Sequence, residues 1–105
     1  MSGNDIEAKL HELTSSLVNE LIALTPETMP EIQFEIAATA DGGADIGLLE
    51  NHPDAKRVAL SDKIYRDASA YLPLVKQYVP GWKRSLIIIQ ESSEGFKVKV
   101  DFEHG

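Results

Sequence analysis

The hydrophobic period of this chain changes abruptly near residue 30, and that change constrains the fold more than any other feature. Ile6, Leu10, Leu13, Leu17, Leu21 and Leu24 recur at spacings of 4, 3, 4, 4 and 3, which is one stripe along an amphipathic helix. Asn4 or Asp5 is placed to cap it, and Asp5, Glu7 and Glu12 put negative charge toward its positive dipole end. Thr25-Pro26 ends it, because proline donates no backbone hydrogen bond and restricts the residue before it. From about Asp5 to Leu24 the rod is roughly 30 Å long, enough to lie across a sheet. Beyond Pro30, Glu31-Ile32-Gln33-Phe34-Glu35-Ile36 alternates strictly between polar and apolar. That is the period of a strand with one wet face.

The rest of the chain follows the same two periods. Ala37 to Ala40 extend the first strand, Asp41-Gly42-Gly43-Ala44-Asp45 is a hairpin turn whose glycines supply positive φ, and residues 46–50 return. Asn51-His52-Pro53-Asp54 is a loop, and Arg57-Val58-Ala59-Leu60 is expected to form a short third strand. Ser61-Asp62 starts a second helix carrying Ile64, Ala68, Tyr71, Leu72, Val75 and Tyr78. Pro73 lies inside it and is expected to kink or break it, at about 3 kcal/mol in a regular helix. Pro80-Gly81 closes the segment. Trp82 to Gln90, with the β-branched run Leu86-Ile87-Ile88-Ile89, reads as a central strand. After a loop at residues 91–95, Phe96, Val98, Val100 and Phe102 point one way and Lys97, Lys99, Asp101 and Glu103 the other. Phe34, Phe96 and Phe102 are expected in the core, and Trp82 against the end of the second helix with a partner for its N–H. The expectation is an α+β fold: an antiparallel sheet of four to five strands with two helices packed on one face, in the order α-β-β-(β)-α-β-β. Residues 1–105 form a single domain.

Charge narrows the function classes. Residues 1–54 carry one lysine against eleven carboxylates, whereas residues 55–105 carry nine cations against six carboxylates. The net charge of −7 repels phosphates, so direct nucleic-acid binding is not expected; a basic protein partner, drawn by electrostatic steering, is. No apolar run approaches the roughly 20 residues of a membrane helix, so no membrane partner is expected. The first residues do not read as a secretory leader, and the chain has no cysteine. The expected address is cytoplasmic.

Candidate chemistry is sparse. There is no cysteine nucleophile, no Gly-x-Ser-x-Gly elbow and no Gly-Lys-Ser/Thr after the Gly42-Gly43 pair. His11, His52 and His104 form no His-x-x-x-His or His-Glu-x-x-His pair, so neither a metal nor another cofactor is expected. The chain does not read as an enzyme. What stands out is acid on one side of a sheet. Glu31 and Glu35 lie on the polar face of the first strand, Asp41 and Asp45 at its hairpin, and Glu50, Asp54, Asp101 and Glu103 on neighbouring strand ends or loops. These eight are the expected contact residues for a lysine- and arginine-rich partner.

The C-terminal segments Trp82-Lys83-Arg84-Ser85-Leu86-Ile87-Ile88 and Gly95-Phe96-Lys97-Val98-Lys99-Val100-Asp101-Phe102-Glu103 resemble the closing hairpin of the YezG-like family of bacterial immunity proteins. The Ser61-Asp62-Lys63-Ile64-Tyr65 helix start, and the long helix before an alternating strand, also fit its order. Pro73 and the single Asp101-Phe102-Glu103 ending depart from its pattern. The resemblance implies an antitoxin without catalytic residues, neutralising a cognate toxin C-terminal domain, often a nuclease, in contact-dependent growth inhibition and related systems. With the acidic surface, the expected mode is stoichiometric occlusion of the toxin. The other reading is a small adaptor or oligomerising domain that inhibits no toxin.

Overall fold

The computed structural model describes residues 3–26, 28–49 and 53–104, with side chains from Asp5 onward. Its elements are helix α1 (Gly3–Leu24), strands β1 (Glu31–Ala38) and β2 (Ala44–Leu48), a 3-10 turn (Pro53–Arg57), helix α2 (Asp62–Tyr78), and strands β3 (Trp82–Ser92) and β4 (Gly95–His104). The four strands form one antiparallel sheet in the order β2-β1-β3-β4. This is the expected α+β arrangement with four strands. Among the described residues no helix is long and apolar enough to cross a membrane.

The two periods become one core. From α1, Leu10, Leu17, Val18 and Leu21 are buried, from α2 Ile64, Ala68, Tyr71 and Val75, and both sets pack on Ile32, Phe34, Ile36, Ile87 and Ile89 of the sheet. The α1 stripe ends where Thr25 returns both its N–H and its hydroxyl to the Leu21 carbonyl, at 3.0 and 2.6 Å. Helix α2 starts on Ser61, whose hydroxyl accepts the Ile64 N–H at 3.4 Å. Trp82 is buried directly after that helix, and its N–H does find a partner: it donates to Ser85 Oγ at 2.9 Å.

Three expectations need correction. Residues 57–60 form no strand; the chain makes the 3-10 turn instead, with Ala55 buried and Val58 N–H bonded to the Ala55 carbonyl at 3.3 Å. Both sides of β1 are already taken by β2 and β3, and Pro53 presets the first φ of a helical turn. Helix α2 runs from Asp62 to Tyr78 through Pro73, so the expected break does not occur. Pro73 and Ser69, four residues before it, are both exposed, so the carbonyl deprived of its donor faces water while the buried stripe continues. Finally, Phe96 and Phe102 are not core. They lie on the helix-side face, in register with Glu91 and Ser85, but are 50% and 39% exposed, and Val98 between them 45%. The helices cover chiefly the strands before β4, and of β4 only Val100 is partly buried against the core. Beside β4, α1 borders an open groove of about 430 Å³ whose walls include Thr14, Val18, Val98 and Val100. A second opening of about 490 Å³ includes Ile22, Met29 and Phe96.

Candidate functional site

With both helices on one face, the other face of the sheet is open, and strand register fixes what it presents. Glu31, Gln33, Glu35 and Ala37 of β1 stand opposite Gln90, Ile88, Leu86 and Arg84 of β3. Those in turn stand opposite Lys97, Lys99, Asp101 and Glu103 of β4. On the other side, Gly47 and Asp45 of β2 stand opposite Glu35 and Ala37. Residues paired directly across an antiparallel ladder share a face. The outer face therefore has half-buried Leu86 and Ile88 at its centre, inside a border of charge.

Five of the eight expected contact residues meet there: Glu31, Glu35, Asp45, Asp101 and Glu103. Most are engaged within the sheet. Glu31 accepts from Gln33 and Gln90, each at 2.6 Å. Arg84 bridges two strands, its Nη1 to Glu35 and its Nε to Glu103, both at 2.8 Å. Lys99 lies 3.7 Å from Asp101 on its own strand. Asp45 is exposed.

The other three do not join them. Asp41 is at the tip of the β1–β2 hairpin, where its carboxylate accepts from the Thr39 hydroxyl and, at 3.2 Å, from the Gly43 N–H. The Thr39 hydrogen bond first, then the backbone donor of Gly43, holds its pKa below the ordinary aspartate value. Gly42, at φ +87°, makes this tip possible. Asp54 lies in the 3-10 turn, accepting from the Thr28 hydroxyl and facing Arg57 at 3.8 Å. Thr28 precedes β1, so Asp54 and Asp41 sit toward opposite ends of that strand. Glu50 and His52 fall outside the described residues.

Sequence reasoning puts Lys97 and Lys99 on the side of β4 that carries Asp101 and Glu103 without counting them in the contact, and it misses Arg84 and the apolar centre of this face. The signal was present: the unbroken run Leu86-Ile87-Ile88-Ile89 puts apolar side chains on both faces of β3, while two helices suffice for one. Among the described residues, no three His, Asp or Glu side chains are grouped as metal ligands, and the one buried polar residue is Ser85. What this arrangement can do chemically is dock a protein: an apolar centre to desolvate and a charged border to orient. No family model matches the chain, and no curated protein matches it.

Proposed function

We propose that this chain is a cytoplasmic immunity protein that binds a cognate toxin domain one to one, without catalysis or cofactor, and neutralises it by covering its active site. The observation that carries this reading is the open outer face, with Leu86 and Ile88 half-buried among Glu31, Glu35, Asp45, Asp101 and Glu103. A nuclease needs lysine and arginine to hold phosphates. Carboxylates presented on a rigid sheet compete for those groups, and arginine–carboxylate hydrogen bonds give the contact direction. Asp41 adds a carboxylate at the hairpin tip that its Thr39 and Gly43 hydrogen bonds favour in the ionised form. The resemblance of the β3–β4 hairpin to immunity proteins supports the same reading.

The test is binding to the purified C-terminal toxin domain encoded immediately upstream, at about 50 and about 500 mM salt. Tight one-to-one association whose on-rate falls with salt is expected. Asp41→Lys combined with Asp45→Lys should slow association about tenfold, and Ile88→Asp should speed dissociation. Absence of binding at both salt concentrations would sink the proposal and bring the adaptor or oligomerising reading forward. Binding and neutralisation indifferent to the double reversal would remove the hairpin from the contact.

A further inference from the structure

Strand β4 is the long edge of the sheet. It runs ten residues, Gly95–His104, with β3 on one side and, among the described residues, no strand on the other. The opposite edge, β2, is only five residues long. Unpaired edges of this length template further strand pairing unless they are blunted by proline, bulges, inward-pointing charge or charge along the strand, lysine above all; Lys97 and Lys99 of β4 repel a second copy only where they are not met by its carboxylates. In β4 there is no proline, the one irregularity of its ladder lies at the Trp82/Arg84 end, and ahead of His104, which stands opposite Trp82, its inward-pointing residues are Phe96, Val98, Val100 and Phe102. Three of those four are 39–50% exposed.

The outward-pointing residues identify the occupant. Read along β4 they are Lys97, Lys99, Asp101 and Glu103, two cations followed by two carboxylates about Val100. In an antiparallel pair of identical strands centred on Val100, Lys97 faces Glu103 of the second copy and Lys99 faces its Asp101, and the converse pairs repeat across the two-fold axis. On the helix-side face Val98 meets Phe102 and Val100 meets Val100. All four charged contacts are between opposite signs, and the inner row is apolar except at its two ends, where Phe96 meets His104 of the second copy. Sliding the register by one residue on each strand in the same sense puts Lys99 against Lys99, or Asp101 against Asp101. A slip that changes the parity sets the apolar row against the charged one. One register alone satisfies both faces.

We infer that this protein self-associates through β4, two copies pairing antiparallel about Val100 to form a continuous eight-stranded sheet. Lys99 and Asp101, 3.7 Å apart within the chain, exchange partners across the new ladder. Glu103 keeps Arg84 on its inner side and gains Lys97 of the second copy on its outer side. The interface is isologous, so it closes at two copies. It uses the sheet edge, and it holds whether or not the outer face binds a toxin.

Sedimentation velocity over a concentration series tests it on three chains and one mixture. The unaltered protein should dimerise below ~0.5 mM. Lys97→Glu with Lys99→Glu makes the row wholly negative, and Asp101→Lys with Glu103→Lys makes it wholly positive. Each should be at least ~30-fold weaker as a homodimer, since four attractive contacts become repulsive. An equimolar mixture of the two should regain a dimer, because every cross-strand contact is again between opposite signs. In this cysteine-free chain, Val100→Cys should cross-link to its own copy on mild oxidation, the Cα atoms standing about 4.5–5.5 Å apart. Val98→Cys, about 13 Å from its own copy, should not. Because the cysteine pair leaves the charges untouched, it reads the register even if a charge variant folds poorly. An unaltered protein that stays monomeric to ~1 mM overturns the inference. So does a dimer that survives in either charge variant, or one that cross-links through residue 98 and not through residue 100.

Discussion

Ser85 is the residue on which the core's polar accounting turns. It is fully buried, and its Oγ lies 2.8 Å from the Tyr71 hydroxyl and 2.9 Å from Trp82 Nε1. One hydroxyl thus ties α2, the start of β3 and the sheet together. Removing it strands two buried polar groups, and each costs its own desolvation. Ser85→Ala should therefore destabilise by about 2–4 kcal/mol, measured by urea unfolding. Tyr71→Phe, which leaves Ser85 still able to accept from Trp82, should cost only about 1 kcal/mol. Tyr71 also sets a pH dependence. Burial raises its pKa above the ordinary tyrosine value, partly opposed by the Ser85 hydrogen bond. A raised folded pKa means the stability is fully present below the unfolded pKa, near 10, and is lost as pH rises through the folded value. The difference in melting temperature between the native chain and Tyr71→Phe should thus narrow above pH ~10 and then change sign; a constant gap from pH 8 to 11 would contradict it. Only one end of this cluster is legible in the sequence. The expectation that the Trp82 N–H would find a partner was correct, but Ser85 has no local signature because its hydroxyl acquires meaning only when α2 lies over β3.

At the scale of elements, periodicity located both helices and all four strands, because each has one face that must leave water. It misjudged the places where a neighbour decides the outcome. The segment 57–60 has strand-like residues but no free edge of β1 to join. Phe96, Val98 and Phe102 have the right alternation, yet the two helices leave most of the fourth strand uncovered, and only Val100 packs partly against the core. The expected break at Pro73 supposes a uniform helix, whereas Pro73 falls on the wet side of α2. That position makes a prediction. Pro73→Ala restores the donor to the Ser69 carbonyl and removes the ring's steric load, against a loss of about 0.4–1 kcal/mol from a freer unfolded chain. A net gain of about 1–2 kcal/mol is expected, raising the melting temperature by about 4–12 °C in a domain of this size. Circular dichroism melts of the two chains decide it, and an unchanged or lower midpoint would show that the helix has already adapted around the proline.

For the whole molecule, the uneven charge of the two halves has an internal use as well as an external one. The halves are each a helix followed by a hairpin, α1-β1-β2 and α2-β3-β4, and they join where β1 meets β3 and α1 meets α2. Arg84 to Glu35, Gln90 to Glu31, Ser61 to Glu20 and Lys63 and Asp67 to Ser16 all cross that boundary. The acidic contact set was half legible for this reason. Alternation placed Glu31, Glu35, Asp101 and Glu103 on polar strand faces, and Asp45, expected in the turn, joins them from β2, but the register that brings Arg84 between Glu35 and Glu103 is a tertiary fact, and Asp41 and Asp54 are scattered by the loops that carry them. Arg84 therefore serves stability at the expense of an acidic surface. Replacing it with alanine releases two carboxylates into the outer face while loosening the join. The pairs are partly exposed, with Arg84 41% accessible, so screening limits their joint worth to about 1–2 kcal/mol. Arg84→Ala should lose that much stability in low salt and less of it in ~1 M salt. If the outer face captures a basic toxin domain as proposed, the same variant should associate about 2–3 times faster at low ionic strength, with the advantage gone near 0.5 M salt. Stopped-flow association set beside urea unfolding separates the two effects. A variant that is less stable and also slower to bind would mean that the partner reads Arg84 itself, and not the carboxylates that Arg84 restrains.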